Sequence, residues 1–480
     1  MVALAIASVI QKENGTYKFL EKYLQAYSPE KVAEATGVSA EILSELSIDA
    51  MEHGPLLALG GGNVSATDQS VETLIAVNIL NAVSGALNKT ILFSDQTAPE
   101  SSTHQDLTQL ISYLNAGNIK LLIVDDSNPV YALPPSMGFL QAMKKAFVVS
   151  LASQKSETTH AANLVLPVLT AYESWGDAFP RNGVRSIQQP VMSTVNMFDA
   201  RAREEILLSV AQNVNKKAFS GNSSYLDYLQ NIWQKIQRKV GDRRNFDSFW
   251  ISVLENGGIF EKPKFIRASL NRRVASVKLN DPGMAGSDGL TLLPTTSLLL
   301  GDGSGANKPW LQEVPDPMSQ IVWDSWMEIN PDTAQKLGIN DRAIVEVSTP
   351  YGSVQATAYY HFGIHRNAIA IPMGQGHQHS GDVADGFGIN VMELLPDQMD
   401  KAGSLVFVGT KAKLKLINEK SYTVNTDGNA RQLGRDISAA TTVEELNHPE
   451  KHSAGHNRPV EFYPDRSETC LLYTSPSPRD

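Results

Sequence analysis

Residues 163–190, NLVLPVLTAYESWGDAFPRNGVRSIQQP, decide how this chain is read. They open on an apolar run, Leu164-Val165-Leu166-Pro167-Val168, of the kind that forms a parallel strand buried on both faces. The run leaves into a loop dense in groups that bind things: Glu173, Trp175, Gly176, Asp177, Asn182, Gly183 and Arg185. Open α/β sheets build ligand sites where parallel strands deliver such groups to one edge. The plain alternative is a solvated surface loop whose Trp caps the core, since position in a fold is weak evidence of function.

Outward from this strand, the pattern alternates. Residues 56–59 read as a strand, followed by Gly60-Gly61-Gly62-Asn63 and an apolar helix over 71–86. Further strands are expected at 90–93, 121–124 and 146–151, with a helix at 105–115. The strand at 121–124 ends at Asp125, Asp126 and Asn128-Pro129. Alternation of this kind predicts a parallel sheet with flanking helices. Residues 1–52 read as helical: Ser28-Pro29-Glu30 supplies a cap, a first-turn proline and an acid, Gly37 closes that helix and Ser39 opens the next. Helical spacing resumes over 201–210 and 225–240.

Glycine and proline punctuate residues 255–322, which read as a crossing between domains. Beyond Trp326 short strands take over. Asn330-Pro331-Asp332 starts a helix that Gly338 ends, and strands at 343–348 and 353–360 flank the turn Pro350-Tyr351-Gly352. Further strands are expected at 368–372, 405–408 and 412–416, which together suggest a separate small β-barrel. The expected map is an α/β domain at 1–250, a loop-rich connection at 251–325, a barrel at 326–418, an extended tail at 419–469 and a foreign tail at 470–480.

The chain of 480 residues exceeds what one core supports, so two or three domains are expected. A net charge of −10 argues against nucleic acid or an anionic membrane as partner. No apolar run reaches the roughly 18 residues of a membrane span; residues 74–87 are interrupted by Asn78, Asn81 and Ser84. The single cysteine, Cys470, lies in CLLYTSPSPRD, which reads as translated sequencing adapter and is set outside the fold. Without it the chain has no thiolate for an iron–sulfur cluster, a zinc–thiolate site or a disulfide. The opening MVALAIASVI has no basic start and reads as the middle of an amphipathic helix, so a fragment of a longer protein is expected.

Two further motifs carry polar groups. Gly60-x-Gly62-x-x-Ser65, read between a strand and a helix, is the context for phosphate at a helix N-terminus, though its third glycine is replaced and a tight turn explains it equally. Met373-Gly374-Gln375-Gly376-His377-Gln378-His379, with Gly388-Ile389-Asn390 behind it, would let backbone approach a pterin or nucleotide while Gln375, His377 and Asn390 supply polar contacts. No carboxylate stands at metal-signature spacing from the two histidines. The alternative is a glycine-rich surface turn. Gly60, Gly62, Asn63, Asn128, Glu173, Asp177, Arg185, Gln375, His377 and Asn390 are therefore the candidate binding residues, with no catalytic residue and no metal ligand among them.

These motifs resemble the molybdopterin-dependent oxidoreductases. That family has a VLP strand running into a Glu, a Gly and an N-x-x-G-R turn, similar to Leu164–Arg185, and a dinucleotide-gripping barrel entered through I-N-P-x-x-A-x-x-L-G-I, similar to Ile329 through Ile339. Glu173-Ser174-Trp175-Gly176-Asp177 with Ser186-Ile187-Gln188-Gln189-Pro190, and Lys308-Pro309-Trp310, resemble one branch more closely: the molybdopterin-like subunit of alternative complex III, a bacterial quinol-oxidising respiratory assembly. The corresponding subunit of menaquinone reductase complexes is a related branch. The resemblance implies a double-psi-like, molybdopterin-dinucleotide-binding barrel, with the dinucleotide as possible cofactor, and a molybdenum ligand upstream of Met1. It also implies iron–sulfur, cytochrome c and quinone-binding membrane subunits as partners, and a periplasmic position on the bacterial cytoplasmic membrane. Ser174-Trp175-Gly176-Asp177 departs from the K-x-G-T-like run of catalytic members, which puts the pterin contacts in doubt. The alternative complex III branch implies a scaffold that has lost its cofactor. A catalytic molybdopterin enzyme and an unrelated nucleotide-binding α/β protein are the alternatives.

Overall fold

The computed structural model describes residues 1–62, 65–94, 101–181, 183–195, 198–219, 221–280, 288–419 and 423–426. Asn63, Asn182 and the adapter-like tail 470–480 lie outside them, as does most of 419–469. The fold is that of Met1–Val424; of a second unit, Asn425–Asp480, only residues 425 and 426 are described.

Helices occupy most of residues 2–52 and 70–83, where the spacing predicts them. Val2–Asn14 buries Leu4, Ala7 and Ile10 against Ile79, Leu80 and Val83 of Ser70–Val83. Ser28 and Ser39 cap Pro29–Thr36 and Ala40–Glu52, each hydroxyl accepting a first-turn amide that would otherwise lack a partner. Residues 56–59 are not a strand. Asn81 takes the place of a neighbouring strand: its side chain accepts from the Ala58 amide at 2.7 Å and donates to the Ala58 carbonyl at 2.9 Å. The strand read at 90–93 shrinks to Phe93–Ser94, paired antiparallel with Phe265–Ile266.

The parallel sheet has three strands in the order Leu121–Asp125, Phe147–Ala152, Leu164–Pro167. His104–Asn115, Phe139–Met143 and the connection around Ala161 pack with Val124 and Val148 in one cluster. Leu164–Pro167 is an edge strand with Leu164 and Val165 exposed, not the doubly buried strand its composition predicts. The expected loop behind it is instead an antiparallel hairpin, Gly176–Arg181 with Val184–Gln188, extended by Gly258–Phe260. It rests on Tyr225–Val240 and Phe246–Asn256 through Trp175, Trp233 and Trp250. Alternating exposure along the hairpin is weak, so period-two patterning did not announce it.

Six strands close the barrel, in the order Trp326–Ile329, Ser353–Tyr360, Ile344–Ser348, Lys411–Asn418, Leu290–Thr295, Ala368–Pro372. Val345, Val347, Val354, Ala356, Ile369 and Ile371 point inward and meet Leu292 and Met327. Leu290–Thr295 comes from the stretch read as a connection. Residues 405–408 form no strand; the Phe407 and Val408 amides both bond the Ala66 carbonyl at 2.9 Å, tying the barrel's return to the helical region.

Truncating Ile369→Ala should lower unfolding free energy by about 2–5 kcal/mol, since a close-packed barrel interior relaxes little into a cavity. Leu298→Ala, at an exposed position, should change it by less than about 0.5 kcal/mol. Urea denaturation of both variants checks the pair, and equal losses would mean that the barrel core is misassigned.

Candidate functional site

The ligand edge of a parallel sheet is its C-terminal one, and here the barrel reaches it. Asn128 follows the first strand, and Glu157 opens the short helix Glu157–Ala161 after the second, behind a Ser156–Thr159 capping box. Asn128 donates through Nδ2 to Glu157 Oε2 at 2.6 Å, while its Oδ1 accepts from the Thr158 amide and hydroxyl. From the barrel, His377 Nδ1 lies 3.1 Å from Glu157 Oε1, the Gln378 amide donates to the same oxygen at 2.8 Å, and Ser380 Oγ lies 3.3 Å from Oε2. Glu157 and His377 are both buried.

His377 is held on every side. Tyr131 stacks on its ring, centroids 3.8 Å apart and planes 14° from parallel, and the Tyr131 hydroxyl donates to the Gln375 carbonyl at 2.8 Å. His377 Nε2 faces the Gly303 carbonyl at 3.1 Å, which can only accept, so that nitrogen carries a proton. Gly303 has φ +92°, and a Cβ there would lie 2.8 Å from His377 Nε2. Ser380 Oγ is 2.9 Å from Nδ1, the same nitrogen that faces Glu157. A Ser-His-acid relay needs serine and acid on opposite ring nitrogens, so this cluster is not a nucleophile triad.

Burial by itself would push the Glu157 carboxyl up; hydrogen bonds from His377, Asn128 and the Gln378 amide outweigh it and hold the group well below the usual carboxylate range. Burial, with the Glu157 charge behind it, pushes the Tyr131 phenol up, so it remains a neutral donor. An ionised carboxylate thus joins the two halves of the molecule.

Beside this junction opens a cleft of about 590 Å³, bordered by Asp126 to Asn128, Ser153 to Ser156, Asp302 to Ser304, Asn307, Lys308, His377 and Ser380. Lys155 and Lys308 would complement phosphate oxygens there. Asp126 is paired with Arg203 at 3.1 Å, and the Ser304 amide holds Asp302 below the usual range. Lys155 and Lys308 are thus the lining groups that would suit phosphate, while the ionised Asp302 beside them would oppose it.

Of the candidate residues, Asn128 and His377 border the cleft. Gln375 sits behind it, locked to Gln312 by reciprocal amide bonds of 2.7 and 3.1 Å. Asn390 donates to the Tyr131 carbonyl at 2.9 Å and caps Met392. A Cβ at Gly60 would meet Leu74 and Val77 at 3.1 Å, and Gly62 leads into Asn63, outside the described residues. Glu173 closes its own turn, accepting from Thr170 and from the Val195 amide. Asp177 accepts from Trp233 Nε1 at 3.1 Å; burial raises its carboxyl, and Trp233 and Arg185 partly offset that. Arg185 lies over the Phe179 ring at 4.4 Å. None of Gly60, Gly62, Glu173, Asp177 and Arg185 borders this cleft. Sequence reasoning passed over Glu157, Tyr131, Gln312 and Ser380. The one local signal was an acid inside a Ser-x-x-Thr cap, an ordinary helix start.

Replacing Glu157 with Ala should destabilise the fold by roughly 3–5 kcal/mol, because His377, Asn128 and the Gln378 amide lose a buried partner. The pH dependence has a definite sign. A carboxyl lowered by folding adds stability above the ordinary glutamate range, lost as pH falls through that range toward the folded value. Thermal melts from pH 7 to 3 should therefore fall less steeply for Glu157→Gln than for the parent. Glycines of the barrel turn give a second contrast. Gly376 has φ +85° and a Cβ there would meet the Asn390 amide nitrogen at 2.1 Å, whereas one at Gly386 meets nothing within 4 Å. Gly376→Ala should lose folded protein by circular dichroism, and Gly386→Ala should pay only the cost of its positive φ.

Comparison with known proteins agrees with this architecture. The family model for the Molydopterin dinucleotide binding domain matches residues 310–403. The menaquinone reductase molybdopterin-binding-like subunit of Nitratidesulfovibrio vulgaris is 26% identical over 403 residues, covering 80% of this chain and 56% of that protein. The assimilatory nitrate reductase catalytic subunit of Bacillus subtilis is 20% identical, over 61% of this chain and 41% of its own length. The arsenate respiratory reductase molybdopterin-containing subunit of a Shewanella species is 23% identical, over 61% and 44%. The chain spans about half the length of these curated relatives. The acetylene hydratase structure from Pelobacter acetylenicus shares the fold, with a TM-score of 0.57 over 88% of this chain and 70% of that one, at 17% identity. A parallel sheet meeting a closed six-stranded barrel at its ligand edge, with these relatives, makes the chain a member of the molybdopterin oxidoreductase superfamily.

Proposed function

We propose that this chain is the pterin-fold scaffold of a membrane-attached, quinol-oxidising respiratory complex of the alternative complex III kind. In this reading it organises iron–sulfur, cytochrome c and quinone-binding subunits and performs no substrate chemistry itself. The observation that carries it is the junction between sheet and barrel. The polar side-chain atoms of Asn128, Glu157, Gln375, His377 and Asn390 are engaged by one another, by other side chains such as Gln312 and Thr158, or by this chain's own backbone. A site built to grip a pterin needs donors and acceptors that await it. The likeness to the menaquinone reductase subunit, described as molybdopterin-binding-like, supports the same direction. Among the described residues no helix is long and apolar enough to cross a membrane.

A second reading, a catalytic molybdopterin-dinucleotide oxidoreductase, draws on Lys155 and Lys308 beside the cleft. Were the dinucleotide bound, those ammonium groups would hold its phosphates and Asn307 would offer an amide. The group itself would supply the metal-centred redox chemistry. This chain's residues would bind and orient it.

Metal analysis of the purified native subunit separates the two. The scaffold reading expects molybdenum and tungsten far below one atom per chain, and no dye-linked turnover after incubation with molybdopterin dinucleotide. Stoichiometric metal, or turnover abolished by Lys155→Ala with Lys308→Ala, would establish the catalytic reading instead.

A further inference from the structure

One stretch of the chain runs against its overall charge. Residues 261–280, EKPKFIRASLNRRVASVKLN, set Lys262, Lys264, Arg267, Arg272, Arg273 and Lys278 against the single acid Glu261, in a chain of net charge −10. All six cations are exposed. Among the described residues none of them forms an ion pair; the Arg272 guanidinium lies 5.8 Å from the centre of the Phe19 ring. Packing explains the outward display. Leu270, Val274, Ala275 and Leu279 pack against the helical cluster around Ile10 and Ile79, which leaves their basic neighbours to solvent. Beside Arg272–Ser276 lies the turn Lys18–Leu20, where exposed Lys18 and Lys22 outnumber Glu21. Apolar groups stand among these charges. Phe260, Phe265 and Ile266 are 60%, 57% and 52% exposed, and Leu92 and Phe93 are exposed beside them. Phe265–Ile266 pairs only with Phe93–Ser94, as a two-stranded ribbon. Asn88 fixes its exit, bonding the Ala268 amide at 2.7 Å and the Ala268 carbonyl at 2.8 Å. Alternation along the extended chain turns Phe265 and Ile266 to opposite sides, with Lys264 and Arg267 bracketing them.

We infer that residues 260–278 lie on an anionic phospholipid surface, with the cations at the headgroups and Phe265 and Ile266 at the acyl boundary. Basic side chains interleaved with exposed aromatic and branched apolar ones are the pattern that binds such a surface peripherally. An acidic protein would meet the charge alone. A bilayer meets the charge and the apolar groups together, and the long lysine and arginine stems let each be satisfied at its own depth. The net charge argues against an anionic membrane for the chain as a whole. Its field, however, is screened over about 10 Å, so this segment acts locally. The inference deepens the membrane-attached reading and rests on it for a bilayer beside the subunit. Lipid binding is measured separately from metal content, so either reading can fail alone.

Flotation of the full chain with vesicles tests it. The chain is expected to float with vesicles of phosphatidylcholine and phosphatidylglycerol mixed two to one, and not with phosphatidylcholine alone. Raising sodium chloride to about 0.5 M should release it. A basic side chain at an anionic surface gives about a fivefold gain in partitioning. Lys262→Gln with Lys264→Gln and Arg267→Gln should therefore weaken flotation by roughly 100-fold. Phe265→Ser with Ile266→Ser should weaken it too, at unchanged charge. Binding to phosphatidylcholine alone, no binding to the mixed vesicles, or binding that the triple variant retains overturns the inference. So does a Phe265 and Ile266 variant that floats as well as the parent, which would point to an acidic protein instead. Circular dichroism checks that the variants fold. Should either misfold, trypsin cleavage after Lys264 and Arg267 of the parent is compared with and without mixed vesicles. Protection is expected, and unchanged cleavage overturns the inference.

Discussion

The carboxylate of Glu157 is the constraint on which the arrangement of the two halves depends. It sits at the start of a helix on the parallel sheet, yet much of what stabilises its charge comes from the barrel: His377, the Gln378 amide and Ser380. A buried carboxylate without partners is costly enough to neutralise itself or to draw in water. The sheet edge and barrel turn must therefore meet in one register for the charge to be tolerated. Tyr131 and Gly303 then fix the histidine that completes it, the first by stacking and the second by offering a carbonyl where no side chain would fit. Such a contact specifies geometry more than it adds stability, because much of the Coulombic gain offsets desolvation.

Other contacts tie the barrel to the same region. The loop before the last barrel strand sends Lys401 to Glu72, Asp400 to Ser70 and Asp397 to His104. The Gln105 amide bonds the Gly403 carbonyl at 3.2 Å. Helices from two separate parts of the α/β region are thereby tied to one loop of the barrel. With the Ala66 carbonyl receiving the Phe407 and Val408 amides, the barrel is anchored to the α/β region at several points. A cleft between parts so tied is preorganised, and preorganisation serves a scaffold and a cofactor site alike.

What separates those roles is the state of the polar groups. Gln375 and Asn390 stand where a resemblance would place ligand contacts, and each is satisfied within the protein by Gln312 and by the Tyr131 carbonyl. Gly376 likewise makes room for backbone at Asn390. In contrast, Lys155 and Lys308 border open space. Family membership gives the barrel and its position, whereas function belongs to the site. The closed junction favours the scaffold.

Much of this was legible in the sequence, for identifiable reasons. Capped helices such as Pro29–Thr36 and Ala40–Glu52 follow from Ser-Pro-Glu and Ser at the right offsets. The sheet strands and the inward residues of the barrel follow from local apolar spacing, which a chain carries regardless of its neighbours. Residues 56–59 failed that test because their hydrogen-bonding partner is a side chain, Asn81, and spacing cannot reveal a side-chain partner. Leu164–Pro167 failed differently. Its apolar run does promise burial, but whether a second layer covers it depends on the order of the other strands. The site depended on tertiary structure most of all. Asn128 and His377 were visible as polar residues after a strand and within a glycine-rich turn. Glu157 looked like any acid at a helix start until folding set it against His377, 220 residues away. Sequence by itself determined the elements and their faces, because those are local. The meeting of Glu157 with His377 was decided only by packing, because a buried charge takes its meaning from the groups that surround it.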